Sequence, residues 1–95
     1  MRIVHGGITV DPAQVAEVEA QGAAFQKLCA EEAGCVEYQL SWKLGEPENL
    51  RLLEIWDTAE DHETHKTQPH TAAWTTFISG AAAAPPKFTQ YDAEI

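Results

Sequence analysis

Apolar positions at period two mark the start of the chain. In RIVHGGITV, residues 2–10, Val4, Ile8 and Val10 fall on one face of a predicted strand, with Gly6 between them. Gly6-Gly7 in the middle of that strand weakens it and predicts a bulge or the close approach of another group. The period then changes. Asp11-Pro12 reads as a helix start, with Asp as N-cap and Pro in the first turn. From Ala13 onward Val15, Val18, Phe25, Leu28 and Cys29 recur at helical spacing, with Gly22 on the same stripe and Glu17, Glu19, Gln26 and Lys27 elsewhere on the cylinder. An amphipathic helix of about six turns is expected, ending near Ala33-Gly34, where glycine suits a helix C-terminus.

Alternation returns from Cys35 to Trp42, where Val36, Tyr38, Leu40 and Trp42 oppose Glu37, Gln39 and Ser41. Gly45-Glu46-Pro47-Glu48-Asn49 reads as a turn, and Leu50 to Trp56 as the next strand. That strand is apolar on both faces, Leu50, Leu52 and Trp56 on one and Leu53 and Ile55 on the other, so both faces are expected to be covered. Thr58-Ala-Glu-Asp has the spacing of a capping box before a helical region that Pro69 divides into about 59–67 and 69–80. Ala73, Trp74, Phe77 and Ile78 form the buried stripe of the second piece. Gly80 to Pro86 is a connector, and Lys87 to Glu94 a last strand.

The order β-α-β-β-α-β with right-handed crossovers predicts an α+β, ferredoxin-like fold: a four-stranded antiparallel sheet with two helices on one face. The uncovered second face predicts a homodimer in which two sheets pack face to face. Trp42 is a candidate for that interface.

The chain has 95 residues, a length that implies one domain, 1–95, with a thin core. Fifteen acidic against six basic residues give a net charge of -9, which argues against nucleic acid and against an anionic membrane surface. No apolar stretch approaches a membrane span, and the N-terminus is too short and polar for a secretory signal. Cys29 and Cys35 are too few for a disulfide framework, so packed thiols in a cytoplasmic protein are expected.

Three of the four histidines, His62, His65 and His70, lie within nine residues. A metal site with Glu54 or Asp61 as a further ligand is one reading, but the spacing is poor for zinc and no cysteine lies near in sequence, so no metal is expected. His62 reads as a solvated helix residue. His65 and His70 either face a pocket, as catalytic groups suited to proton transfer near neutral pH, or cap the break at Pro69. Trp74, one turn after His70, and Tyr38 are candidate pocket walls or core anchors. Glu54, a carboxylate in an apolar strand, must be paired, hydrogen-bonded or protonated. His5 lies beside Gly6-Gly7. No phosphate loop, nucleophile elbow or dinucleotide fingerprint occurs.

Three segments, Glu32-Ala-Gly-Cys-Val-Glu-Tyr38, Leu53-Glu-Ile-Trp-Asp57 and His65-Lys-Thr-Gln-Pro-His70, resemble the antibiotic biosynthesis monooxygenase superfamily of the quinol monooxygenase type. The likeness spans nearly the whole chain and implies a dimeric α/β barrel of ferredoxin-like subunits. It implies oxygenation of an electron-rich quinol or polyketide-like aromatic by O₂ with no cofactor. His65 or His70 is then the base, and Trp74, Phe77, Tyr38, Glu54 and His5 belong to the substrate pocket. Haem-degrading relatives carry a histidine ligand where Trp74 stands here, a departure that speaks against haem. Another relative with the same His-Lys-Thr-x-Pro-His run isomerises a phosphorylated signal molecule, which makes a cofactor-free isomerase the alternative enzyme. A non-catalytic small-ligand-binding dimer is the third reading.

Overall fold

The structure, a computed structural model, describes residues 1–94. Four strands and three helices follow one another as β1 (Arg2–Thr9), α1 (Val15–Ala30), β2 (Cys35–Lys43), β3 (Glu46–Trp56), α2 (Ala59–His65), α3 (Pro69–Ala81) and β4 (Lys87–Asp92). The sheet is antiparallel throughout, in the order β2-β3-β1-β4, the topology expected from the element order. Among the described residues no helix is long and apolar enough to cross a membrane.

Local chemistry explains the boundaries. Asp11 accepts a hydrogen bond from the Ala13 amide at 2.9 Å and starts a short 3-10 turn, Pro12–Gln14, that leads into α1. Thr58 caps α2 by accepting from the Asp61 amide at 3.1 Å. α1 stops at Ala30, earlier than its stripe suggests. Gly34 serves the turn into β2 with a φ of 80°. The turn expected over Gly45–Asn49 is shorter: β3 begins at Glu46, which pairs with Lys43 across Leu44-Gly45. A register shift between Cys35 and Glu37 turns Val36 out to solvent, so only Tyr38, Leu40 and Trp42 keep the inward alternation.

The close approach predicted at Gly6-Gly7 is present on both faces. A Cβ on Gly6 would run into the Lys87 carbonyl and the Phe88 ring of β4, and one on Gly7 into the Arg51 guanidinium.

Alternation along β1 and β3 separates the two faces. Val4, Ile8, Leu50, Leu52, Glu54 and Trp56 face the helices. Ile3, His5, Leu53 and Ile55 lie on the other face, where register pairs Ile3 with Ile55 and His5 with Leu53. Trp42 is on the helix side, packed against the core with its indole N–H donating to Glu19 at 3.1 Å, and so does not face the open side as expected. Two clusters fill the space between sheet and helices. Ile8, Val10, Val18, Leu50, Ile78 and Ala81 form an aliphatic one, and Phe25, Cys29, Tyr38, Leu52 and Trp56 an aromatic one.

Candidate active site

The aromatic cluster borders a cavity of about 380 Å³ between the sheet and α2–α3. Its walls include Val4 and Leu52 from the sheet, Phe25 from α1, Trp74 and Ile78 from α3, and Phe88 and Gln90 from β4. That size suits a small ligand. Five titratable groups face it: Tyr38, Glu54, His62, His65 and Lys66.

Period two sets the sheet contribution. Glu54 and Trp56 are two apart on β3 and share a face, and the Trp56 indole N–H donates to Glu54 Oε1 at 3.0 Å. Trp56 is fully buried and forms the floor beneath His65, with ring centroids 4.8 Å apart. Glu54 is only 5% exposed, and burial raises its pKa against the opposing effect of the Trp56 hydrogen bond. Burial likewise pushes the Tyr38 phenol well above its ordinary value.

Helix α2 supplies His62 and His65, three residues apart on one face. Both are 4% exposed, which corrects the expectation of a solvated His62. The His62 Nε2 lies 3.7 Å and the His65 Nε2 3.6 Å from the same Glu54 Oε1. Burial, then the nearby Lys66 and Arg2 charges, lowers the His62 pKa to about 4, so this ring is neutral at physiological pH.

One carboxylate organises the remaining histidines. Glu32, just past the end of α1, accepts through Oε2 from His65 Nδ1 and from His70 Nε2, each at 2.8 Å. A carboxylate only accepts, so Nδ1 is the donor of this pair, and Nε2 is the nitrogen that faces Glu54 and the cavity. The geometry is that of a carboxylate orienting an imidazole base.

The break at Pro69 needs neither imidazole. Thr71 Oγ1 donates to the His65 carbonyl at 2.8 Å, Thr67 Oγ1 to the Thr64 carbonyl at 2.7 Å, and the Gln68 side chain to the same Thr64 carbonyl. Hydroxyls and an amide cap the break, and the rings point to Glu32.

Of the residues expected at the site, His65, Tyr38, Glu54 and Trp74 come together around the cavity. His70 stands outside it, one hydrogen bond away through Glu32. Phe77 packs behind Trp74, with centroids 5.8 Å apart, rather than on the cavity wall. His5 lies on the opposite face of the sheet, where its Nε2 meets the Tyr91 hydroxyl at 3.1 Å, so it is not a pocket residue. Sequence reasoning placed Glu32 in a segment of family likeness and Phe25 and Trp56 on apolar faces, but gave none of the three a role at the site. Glu31 and Glu32 at the C-terminal end of α1 were a signal for the first, since the helix dipole disfavours anions there unless something compensates.

The structure also brings Cys29 beside Glu32, His65 and His70, with one potential ligand atom from each lying within 4.8 Å of the others. The distance in sequence that argued against a cysteine near these histidines vanishes in the fold, because α1 packs across α3. Both cysteines are free thiols, and burial raises the pKa of each, that of Cys35 to about 11.

Comparison with known proteins bears on the family and the fold. The family model for antibiotic biosynthesis monooxygenases matches residues 1–76. A crystal structure from Deinococcus radiodurans, provisionally named an antibiotic biosynthesis monooxygenase, superposes with a TM-score of 0.92 at 23% identity over 100% of this chain and 94% of that one. A similarly named protein from Nitrosomonas europaea gives a TM-score of 0.92 at 18% identity over 98% of each chain. Another from Caulobacter crescentus gives 0.90 at 25% identity over 99% and 90%. Among curated proteins, none matches the chain.

Proposed function

The chain belongs to the antibiotic biosynthesis monooxygenase family, and on that premise we propose that it is a cofactor-independent monooxygenase of an electron-rich quinol or polyketide-like aromatic. One observation carries this reading: His65 presents Nε2 to an aromatic-walled cavity while Glu32 holds its Nδ1 proton. An aromatic substrate stacks among Phe25, Tyr38 and Trp74, and His65 takes its phenolic proton. The resulting anion gives one electron to O₂. The superoxide and substrate radical combine at carbon to a peroxide, which loses water and leaves a carbonyl. The balance is R₂CH₂ + O₂ → R₂C=O + H₂O: the substrate gives all four electrons, O₂ accepts them, one oxygen atom enters the product, and the other leaves as water with the proton that His65 returns to the peroxide while the remaining C–H proton is lost. The apolar walls keep bulk water from the radical pair.

We further propose that the working unit is a homodimer through the open sheet face. Ile3, Leu53 and Ile55 form an apolar row there, on the face away from the helices. The exposed Leu44 at the tip of the β2–β3 turn extends the apolar surface available to a partner.

The test is oxygen consumption by metal-stripped protein against a panel of hydroquinones and anthrones, with product mass measured in ¹⁸O₂. The expected result is one labelled oxygen per product. Turnover that persists without O₂ would replace this reading with a cofactor-free isomerase.

A further inference from the structure

We propose that Cys29, Glu32, His65 and His70 form a binding site for a single divalent zinc-class metal ion at the junction of α1, α2 and α3. This inference goes beyond the oxygenation chemistry and concerns a different state of two of the same residues: with an ion on Nδ1, His65 carries its proton on Nε2 and is not the base.

The donor set is chemically selective. One thiol sulfur, two imidazole nitrogens and one carboxylate oxygen are the ligands of a borderline-soft ion and a poor match for calcium or magnesium, which prefer oxygen cages. Four ligands match the tetrahedral preference of zinc. Their donor atoms already lie within 4.8 Å of one another. With zinc–ligand bonds of about 2.0–2.3 Å, tetrahedral donors sit roughly 3.3–3.6 Å apart, so side-chain adjustments of about 1 Å close the site.

A second observation supports it independently. A metal-binding histidine commonly directs its other ring nitrogen to a carboxylate, which fixes the ring and raises its donor strength. Here His65 offers Nδ1 to the cluster and turns Nε2 toward Glu54 Oε1 at 3.6 Å. Glu54 is in turn anchored by the Trp56 indole at 3.0 Å. An ion on Nδ1 would send the ring proton to Nε2, and a shift of about 0.5 Å would then bring that N–H into hydrogen-bond range of Glu54 Oε1.

The ligands come from three helices. Cys29 is in the last turn of α1 and Glu32 just beyond it, His65 ends α2 and His70 opens α3. Cys29 is fully buried, whereas the His70 side chain is 22% exposed and borders a surface groove between α1 and α3, which supplies the route of entry. On binding, the Cys29 thiol proton leaves to solvent, and each imidazole moves its proton to the nitrogen away from the ion.

The experiment uses metal-stripped, reduced protein, with zinc or cobalt alone as the probe. We expect one zinc per chain to survive gel filtration. Cobalt should give the intense visible bands of a tetrahedral centre and a near-ultraviolet thiolate-to-cobalt charge-transfer band. Cys29→Ser should abolish the charge-transfer band. His70→Asn, at the most exposed ligand, keeps the fold testable and should weaken affinity by at least about tenfold. No retained metal, a cobalt spectrum without thiolate ligation, or parental affinity in His70→Asn would each overturn the proposal. None of these readouts involves substrate or oxygen, so their failure leaves the oxygenation reading standing, and the reverse also holds.

Discussion

The two ends of the layer between sheet and helices are built from different chemistry. At one end Ile8, Val10, Val18, Leu50, Ile78 and Ala81 meet without a titratable group among them. At the other, Phe25, Tyr38, Leu52 and Trp56 surround Glu54, His62 and His65, and Arg2 completes the set of buried charged or polar residues. The same strands, β1 and β3, run through both, so topology does not cause the difference. Burying polar groups costs free energy that hydrogen bonds only return if each is made, which is why the second end is knitted by Trp56–Glu54 and by the shared Glu32 oxygen. The aliphatic end holds the subunit together, and the aromatic end carries its buried polar groups on those hydrogen bonds.

Substitutions at the two ends should separate turnover from stability. The largest effect is expected at His65. On a genuine substrate, His65→Gln should lower kcat about 10²–10⁴-fold while circular dichroism shows a folded protein. A variant with full turnover would remove His65 as the base and make Glu54 the next residue to test.

Val18 gives the opposite signature. It is fully buried at the aliphatic end, so Val18→Ala should destabilise by about 2 kcal/mol in chemical denaturation and leave turnover per folded protein unchanged. Loss of activity without loss of stability would show that the ends are coupled.

Acid should act on the aromatic end first. The His62 pKa is lowered from 6.5 to about 4 by burial, so the unfolded chain binds this proton more readily than the folded one. The stabilisation is complete above pH 6.5 and is lost as pH falls toward 4, by about 1–3 kcal/mol. Denaturation measured across that range should show the slope, and His62→Gln should flatten it. The smallest effect is expected at Trp74, where Phe keeps an aromatic wall: Trp74→Phe should raise KM by about fivefold, roughly 1 kcal/mol, with kcat little changed.

The fold was legible because period and punctuation agree. Asp11-Pro12, Thr58 and Pro69 stand where elements begin, and Gly6-Gly7 marks the place where β4 and Arg51 crowd β1. The site was legible only in its strand half and in His65. Glu54 stood out as a charge in an apolar strand, but His62 looked solvated because a single period cannot show that the Glu54 side of the sheet lies beneath it. The β2 bulge at Val36 is invisible in a clean alternation. His5 and Trp42 show the same limit: a strand pattern separates two faces without saying which one the helices cover. Glu32 and Cys29 join the histidines through helix packing across more than thirty residues, a distance over which spacing carries no information.

The outer wall of the cavity is also the least secured element of the molecule. All six residues of β4 are exposed, yet Phe88 and Gln90 close one side of the space in front of His65. β4 pairs with one neighbour only and is clipped to the body at its far end by Asp92, which accepts from Arg2 Nε at 2.8 Å. An edge strand with few buried contacts opens more readily than the strands behind it. Ligand exchange should therefore keep pace with the fraying of β4: its amides should exchange hydrogen faster than those of β3, and loosening the Asp92 clip should speed product escape as it shortens the protection of Phe88.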